Sequence, residues 1–389
     1  MTTDYPEAAE PQSKCPRCFN PIPYDTVAWT SRSGSPARNA TATAYAGIET
    51  RTPEVHTATR PADTPADWVP TGFDAATDQE VCPTCHYPLP PYWRWGDVTC
   101  VAMAGARYTG KTVFIAVLIK QLEQYVERFG REVIPADAET RGRYRRIYEE
   151  PLFVERGLAQ ATPSAASEAH NPLIFDVGVW GNVKRYLVIR DVAGEDLEAA
   201  ETGGRSWDFF AKADAVLFLF DPLRVEDVAN QLRDLIPDTT RVGGDPREVL
   251  RLVMRLIADG NPRLAVILSK FDALQALSHV EHSAWGQVMG HPGAAFNRDP
   301  GLVNRRYDEC DGLLLDAEVR SLLQRLRAGP LLLSLTNPVT GRQYRSRFFA
   351  VSALGESPEG ERLHRNGISP FRCMDPIRWV LADRNILQE

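Results

Sequence analysis

Gly105, Gly110, Lys111 and Thr112 stand in the pattern G-x-x-x-x-G-K-[ST], as "GARYTGKT" (105–112), directly behind the apolar run "DVTCVAMA". Glycines at these positions let backbone N–H groups turn inward towards β- and γ-phosphate oxygens, and Arg107, Tyr108 and Thr109 complete the loop. Lys111 would add positive charge at those phosphates, and the Thr112 hydroxyl would reach Mg2+. A helix opening near 111 would set its positive end on the anion. A chance glycine-rich turn would not need the strand before it and the helix after it.

Three further stretches sit at the ends of apolar runs. In "RDVAGED" (190–196), Asp191 is placed to hold Mg2+ through water, and Gly194 lets the backbone come close to a γ-phosphate. Asp-x-x-Gly alone is weak, since strand-end turns often contain both residues. In "SKFD" (269–272), a carboxylate at Asp272 can accept from N1–H and the 2-amino group of guanine, a donor pair that adenine lacks. The Lys270 stem can lie along the base. The alternative is a Ser and Asp capping the next helix. In "SAL" (352–354), the backbone N–H groups of Ser352, Ala353 and Leu354 could bind guanine O6.

Two near-copies, "CPRCFNPIP" (15–23) and "CPTCHYPLP" (82–90), carry C-x-x-C. Two such knuckles make a four-thiolate zinc site from Cys15, Cys18, Cys82 and Cys85. The 63 residues between Cys18 and Cys82 exceed the usual separation, but loop-closure cost grows only logarithmically. A redox C-x-x-C is the competing reading, and His86 is a substitute ligand for the zinc site. Cys100, Cys310 and Cys373 are scattered and read as packed.

These residues need elements to position them. Apolar runs of strand length occur at 97–105, 173–181, 184–194, 215–222, 264–272 and 347–355, and the first is followed by a helical pattern over 111–130. Buried strands alternating with helices predict an α/β fold: a doubly wound, mostly parallel sheet with one antiparallel edge strand, from 97 to 389. Insertions are expected at about 131–172, with an Arg/Tyr/Glu-rich helical stretch, and at about 276–345. "DPIRWVLADRN" (375–385) predicts a last helix with Asp375 as cap. A small zinc ribbon over 15–95 precedes the sheet. Its Ala/Thr/Pro/Ser/Asp-rich interior, about 28–80, reads as a flexible insertion, and 1–14 as disordered.

The order of the four signatures resembles that of the Ras-like, translation-factor-related GTPases of the TRAFAC class, with "FDP" after the fourth strand and "DPIRWVL" near the end similar to bacterial double-GTPase-type domains. That resemblance implies a P-loop GTPase fold, GTP or GDP as ligand with Mg2+, and occurrence in multi-component conflict or defence systems. The chain departs from the class at Ser269, where Asn or Thr is usual, and at Arg107 and Tyr108, where small residues are common. Glu195 stands where many members place the Gln that orients water. The switch-I Mg2+ ligand falls among Thr162, Ser164 and Ser167, with Thr162 preferred.

Formal net charge is −7 and pI near 5.6, which argues against a broad nucleic-acid footprint. No apolar run is long enough for a membrane span, and the N-terminal residues lack a secretory apolar core, so the cytoplasm is the expected location. The expectation is a GTP-hydrolysing switch that controls partner assembly through its ribbon or switch regions. Lys111 would stabilise γ-phosphoryl charge, Arg107 could act as an internal arginine finger or be a solvated loop cation, and Glu195 would slow turnover. The alternative is a nucleotide-dependent scaffold without useful hydrolysis. An ATPase is disfavoured by Asp272 and the Ser-Ala-Leu run.

Overall fold

The structure is a computed structural model that describes residues 13–65, 67–157, 171–198, 205–232, 245–280, 282, 284–301, 303–333, 335–337, 339–356 and 363–387. The disorder expected for 1–14 therefore lies outside the described residues, Ser13 and Lys14 apart. These two are held: Ser13 Oγ donates to the Trp93 carbonyl at 3.1 Å and Lys14 Nζ pairs with Asp214 at 2.7 Å.

In chain order the strands are β1 (Thr26–Ser31), β2 (Ala37–Arg38), β3 (Arg51–Thr52), β4 (Val55–Thr59), β5 (Asp78–Val81), β6 (Asp97–Ala104), β7 (Ile134–Pro135), β8 (Leu173–Trp180), β9 (Val183–Asp191), β10 (Ala215–Phe220), β11 (Arg263–Leu268) and β12 (Ser346–Ala350). Seven of them form one sheet in the order β12-β11-β10-β6-β9-β8-β7. The pairs joining β6, β9, β10, β11 and β12 are parallel, while β8 runs antiparallel to β9 across a tight turn at Gly181 and Asn182. The two-residue β7 pairs on the outer side of β8 and forms the edge.

All eight residues of β6 and all six of β10 are buried, as a sheet covered on both faces requires. Truncating a fully buried side chain there, such as Phe218, to alanine would cost about 3–5 kcal/mol. The register sets Ala104 beside Phe218, Met103 beside Asp191, Phe220 beside Leu268, and Leu268 beside Ala350. Five parallel strands thus end together, and every nucleotide signature hangs from that one edge. The strand order reverses at β6, where the carboxyl ends of a doubly wound sheet open a crevice.

The segment 28–80, expected to loop out as a flexible insertion, is instead folded. β1 pairs with β4 and β5, and Ala28 stands beside Val81, so the chain leaving the first knuckle runs against the chain entering the second. Polar composition was misleading because a few side chains do the packing. Trp29 is buried and lies 6.1 Å from Phe73, and the helix Ala40–Ala46 buries Ala42, Tyr45 and Ala46. That helix is capped by the Asn39 side chain, which accepts from the Ala42 amide, and ends at left-handed Gly47.

The Arg/Tyr/Glu-rich stretch forms a short helix, Ala138–Arg143, continuing into a wider π-helix, Tyr144–Val154, with Pro151 inside it. The C-terminal helix runs Asp375–Ala382. Asp375 is its first residue and not its cap. Its buried carboxylate takes Arg372 instead.

Candidate functional site

The phosphate loop joins β6 to the helix Lys111–Glu127. Gly105 has φ +146, and a Cβ on it would lie 2.3 Å from the Leu219 carbonyl, so β10 admits only glycine there. Gly110 is left-handed and starts the helix. Thr109 Oγ1 donates to the Ala106 carbonyl at 3.0 Å, and Lys111 Nζ donates to the carbonyls of Gly105 and Ala106 at 2.7 and 3.1 Å. The loop therefore curls around the Lys111 ammonium. Thr112 is buried beside it. Tyr108 is left-handed and half-exposed, and the Arg107 guanidinium lies 5.3 Å over its ring.

Gly194 follows the end of β9 and opens the short helix Gly194–Glu198. A Cβ on it would lie 2.5 Å from the Arg107 amide nitrogen, so this turn rests directly on the phosphate loop. Asp191 ends β9 beside Met103 and is buried. Tyr148 Oη, from the helix Tyr144–Val154, donates to Asp191 Oδ2 at 3.1 Å. Burial, and then the Asp191 charge, push the Tyr148 phenol well above its ordinary range, so it is the donor. The side chain of Glu195, and Thr162 with Ser164 and Ser167, lie outside the described residues.

On the other side of β6, the Ser352 hydroxyl donates to Asp272 Oδ1 at 2.6 Å, and the Gly355 amide donates to Ser352 Oγ at 2.9 Å. Ser269 Oγ donates to the Phe220 carbonyl at 3.0 Å, joining the turn to β10. Lys270 is left-handed, and its Nζ pairs with Asp221 at 3.1 Å. Ala353 and Leu354 are half-buried in the turn that follows Ser352. The structure thus brings together Gly105, Arg107, Tyr108, Thr109, Gly110, Lys111, Thr112, Asp191 and Gly194 on one part of the edge. Lys270, Asp272, Ser352, Ala353 and Leu354 gather on the other. Thr112 hydroxyl and Asp191 carboxylate are hard oxygen donors, the set Mg2+ selects.

The four cysteines form a second centre. The Sγ atoms of Cys15, Cys18, Cys82 and Cys85 all lie within 4.8 Å of one another and are buried, with Cys15 to Cys85 at 3.4 Å and Cys18 to Cys82 at 3.8 Å. Tetrahedral zinc with bonds of about 2.3 Å would set its sulfurs about 3.8 Å apart, so the group fits the ion. The two knuckles share one backbone: Cys15 N–H donates to Asn20 O and Cys82 N–H to Tyr87 O, while Phe19 and His86 are both left-handed. Burial pushes the Cys15 and Cys85 thiols well above their usual range, whereas hydrogen bonds from Cys15, Cys82 and Cys85 hold Cys18 below it. Four sulfurs sharing one buried volume cannot all ionise without a cation. His86 stays outside the centre and contacts Asn39. Cys100 and Cys373 are buried as expected, but Cys310 is exposed in the first turn of the helix Glu309–Arg325.

Sequence reasoning missed three residues here. Tyr148 sits in a stretch whose only signal was composition. Asp221 directly follows β10 in "FDP" and could have been found as a strand-end carboxylate. Arg190 precedes Asp191 on β9 and points to the opposite face, where its Nη1 donates to the Arg17 carbonyl of the first knuckle at 2.6 Å.

Comparison with known proteins gives three findings. The family profile described as Double-GTPase 2 matches residues 99–299. A protein of Mycolicibacterium smegmatis (strain ATCC 700084 / mc(2)155), named for ESX-1 scaffolding and assembly (SaeC), is 47% identical over 385 residues, covering 96% of this chain and 100% of that protein. A crystal structure of the bacterial selenocysteine-specific elongation factor EF-Sec aligns over 64% of this chain and 25% of its own, at 10% identity and a TM-score of 0.23, a likeness too slight to carry weight. Among the described residues, no helix is long and apolar enough to cross a membrane.

Proposed function

The chain belongs to the Double-GTPase 2 family, and on that premise we propose that it is a guanine-nucleotide-binding protein whose bound nucleotide controls the assembly of protein partners. The observation that carries this reading is the shared edge of five parallel strands. The phosphate loop, Asp191, the 269–272 turn and the 352–354 turn all follow from strand ends on that edge, which supports one shared nucleotide site.

The loop amides, with Lys111 withdrawn from its own carbonyls, would bind the β- and γ-phosphates. Asp272, oriented by Ser352, would accept from guanine and leave other bases unpaired. Thr112 and Asp191 would hold Mg2+, which supplies charge neutralisation at the phosphates when bound. Water attack on the γ-phosphoryl group would be slow, because the Glu195 carboxylate adds negative charge, and Arg107 would swing from Tyr108 to the phosphates to oppose it in part. The four-cysteine centre would hold one zinc ion and keep the ribbon rigid as an adaptor for partners. The net charge of −7 favours protein over nucleic acid in that role.

A second reading, a scaffold that binds GTP without useful turnover, is favoured by the relative named for scaffolding and assembly. That relative supports assembly control and lends nothing to a conflict or defence role. Single-turnover GTP hydrolysis separates the two. Measurable Mg2+-dependent hydrolysis supports a switch, and tight binding with none supports a scaffold.

A further inference from the structure

We propose that Tyr148 is a positioning residue for the Mg2+ site, fixing the Asp191 carboxylate from the inserted helix Tyr144–Val154 and so tying that helix to the occupancy of the crevice. The inference rests on the reading of Asp191 as a Mg2+ ligand and deepens it. Nothing in the order of signatures along the chain assigns a role to the insertion.

The geometry carries it. Tyr148 and Asp191 are 3% and 4% exposed, and the phenol donates to Oδ2 at 3.1 Å. A carboxylate that receives a hydrogen bond from a fixed donor keeps one orientation, and metal affinity depends on such outer partners. This donor is fixed. The Tyr148 ring stacks on Tyr144 with centroids 5.9 Å apart and planes inclined by 13°. Tyr144 Oη in turn donates to the Ala116 carbonyl at 3.2 Å, inside the helix that begins with Lys111 and Thr112. One turn further along, Lys120 pairs with Glu149 of the insertion at 2.5 Å. The helix that carries the phosphate-loop residues and the helix that carries Tyr148 are therefore clamped together. The Tyr148 hydroxyl reaches from that clamp to the end of β9. A change in the position of Asp191 must move Tyr148 or break its hydrogen bond, and either outcome is transmitted to residues 138–154.

The test titrates Mg2+ against full-length protein loaded with fluorescent GDP and reads nucleotide dissociation. Tyr148→Phe keeps the ring and removes the donor. It should raise the Mg2+ concentration needed for half-maximal retention by about tenfold, the lower end of what loss of an outer partner costs a metal site. Retention at saturating Mg2+ should stay within about twofold of the parent. Tyr144→Phe keeps the ring that stacks on Tyr148 and loses only the bond to Ala116, so it should shift the Mg2+ dependence far less than Tyr148→Phe does, and Tyr148→Phe should add nothing in an Asp191→Asn background. A purely structural role would move Tyr148→Phe and Tyr144→Phe alike, and that result overturns the inference. A shifted Asp191→Asn with an unshifted Tyr148→Phe overturns it while sparing the site. An unshifted Asp191→Asn, or no Mg2+-dependent GDP retention at all, removes both.

Discussion

Arg190 and Arg17 join the two centres: Arg190 Nη1 donates to the Arg17 carbonyl at 2.6 Å, linking the strand that ends at Asp191 to the first cysteine knuckle. Burial lowers the Arg190 guanidinium to about 9, and it lies 3.6 Å over the Phe209 ring, which meets Phe19 edge-on at 5.4 Å. Because side chains alternate along a strand, Arg190 faces the ribbon while Asp191 faces the insertion. Arg190→Gln should therefore loosen the ribbon from the sheet at a cost of about 1.5–3 kcal/mol, the range for a hydrogen bond to a charged group. Hydrogen exchange would show this as faster opening of residues 13–21 and 82–88. Unchanged protection there would mean that the contact does not hold the ribbon.

Metal content follows from the four sulfurs. Purified protein should carry about one zinc per chain. Cys15→Ser should release it and raise exchange across residues 13–95, while the strands from β6 onward keep their protection and nucleotide binding survives. A native protein without zinc and with a folded ribbon would contradict this.

On the proposed reading, turnover should depend on two residues of opposite charge. An ionised carboxylate at Glu195 can accept from water but cannot donate to the γ-phosphate, and it repels an anionic transition state. The Arg107 guanidinium, now 5.3 Å over Tyr108, has the charge to oppose that effect if it swings to the phosphates. Single-turnover hydrolysis should be slow in the parent, at least about tenfold slower in Arg107→Ala, and faster in Glu195→Gln. If Glu195→Gln abolishes hydrolysis, Glu195 positions the water and the sign assigned to it is wrong.

Asp375 gives a pH dependence. Burial raises its carboxyl to about 6, opposed by Arg372. The unfolded value is near 3.9, so the folded state holds the proton more tightly. The stability this group contributes is complete below about pH 4 and is lost as pH rises towards 6, by at most about 1.4 kcal/mol per unit. Asp375→Asn should flatten that part of the profile in denaturant unfolding between pH 4 and 6. A slope unchanged by the substitution would assign it to other groups.

The placement of the phosphate loop, Asp191, Asp272 and Ser352 at strand ends was legible because each is a short pattern at the end of a continuous apolar run, and buried parallel strands write such runs plainly. The order in residues 28–80 was not legible. It comes from pairing Ala28 with Val81 and from single aromatic contacts such as Trp29 with Phe73, none of which leaves a periodic trace. Tyr148 was hidden for a related reason, since its partner lies 43 residues away and only the fold of the insertion brings them together. Asp375 matched a capping pattern, yet the buried Arg372 nearby offered a stronger partner than the helix amides.

Guanine selection is the central claim, and equilibrium binding of GTP, ATP and XTP to the parent and to Asp272→Asn tests it most directly. Asp272, held by Ser352 at 2.6 Å, should make the parent prefer GTP. The substitution should weaken GTP by at least about tenfold, or about 1.4 kcal/mol, and favour XTP, whose base offers the acceptor an amide can meet. Unchanged GTP affinity in Asp272→Asn, or a parent that prefers ATP, would contradict the account.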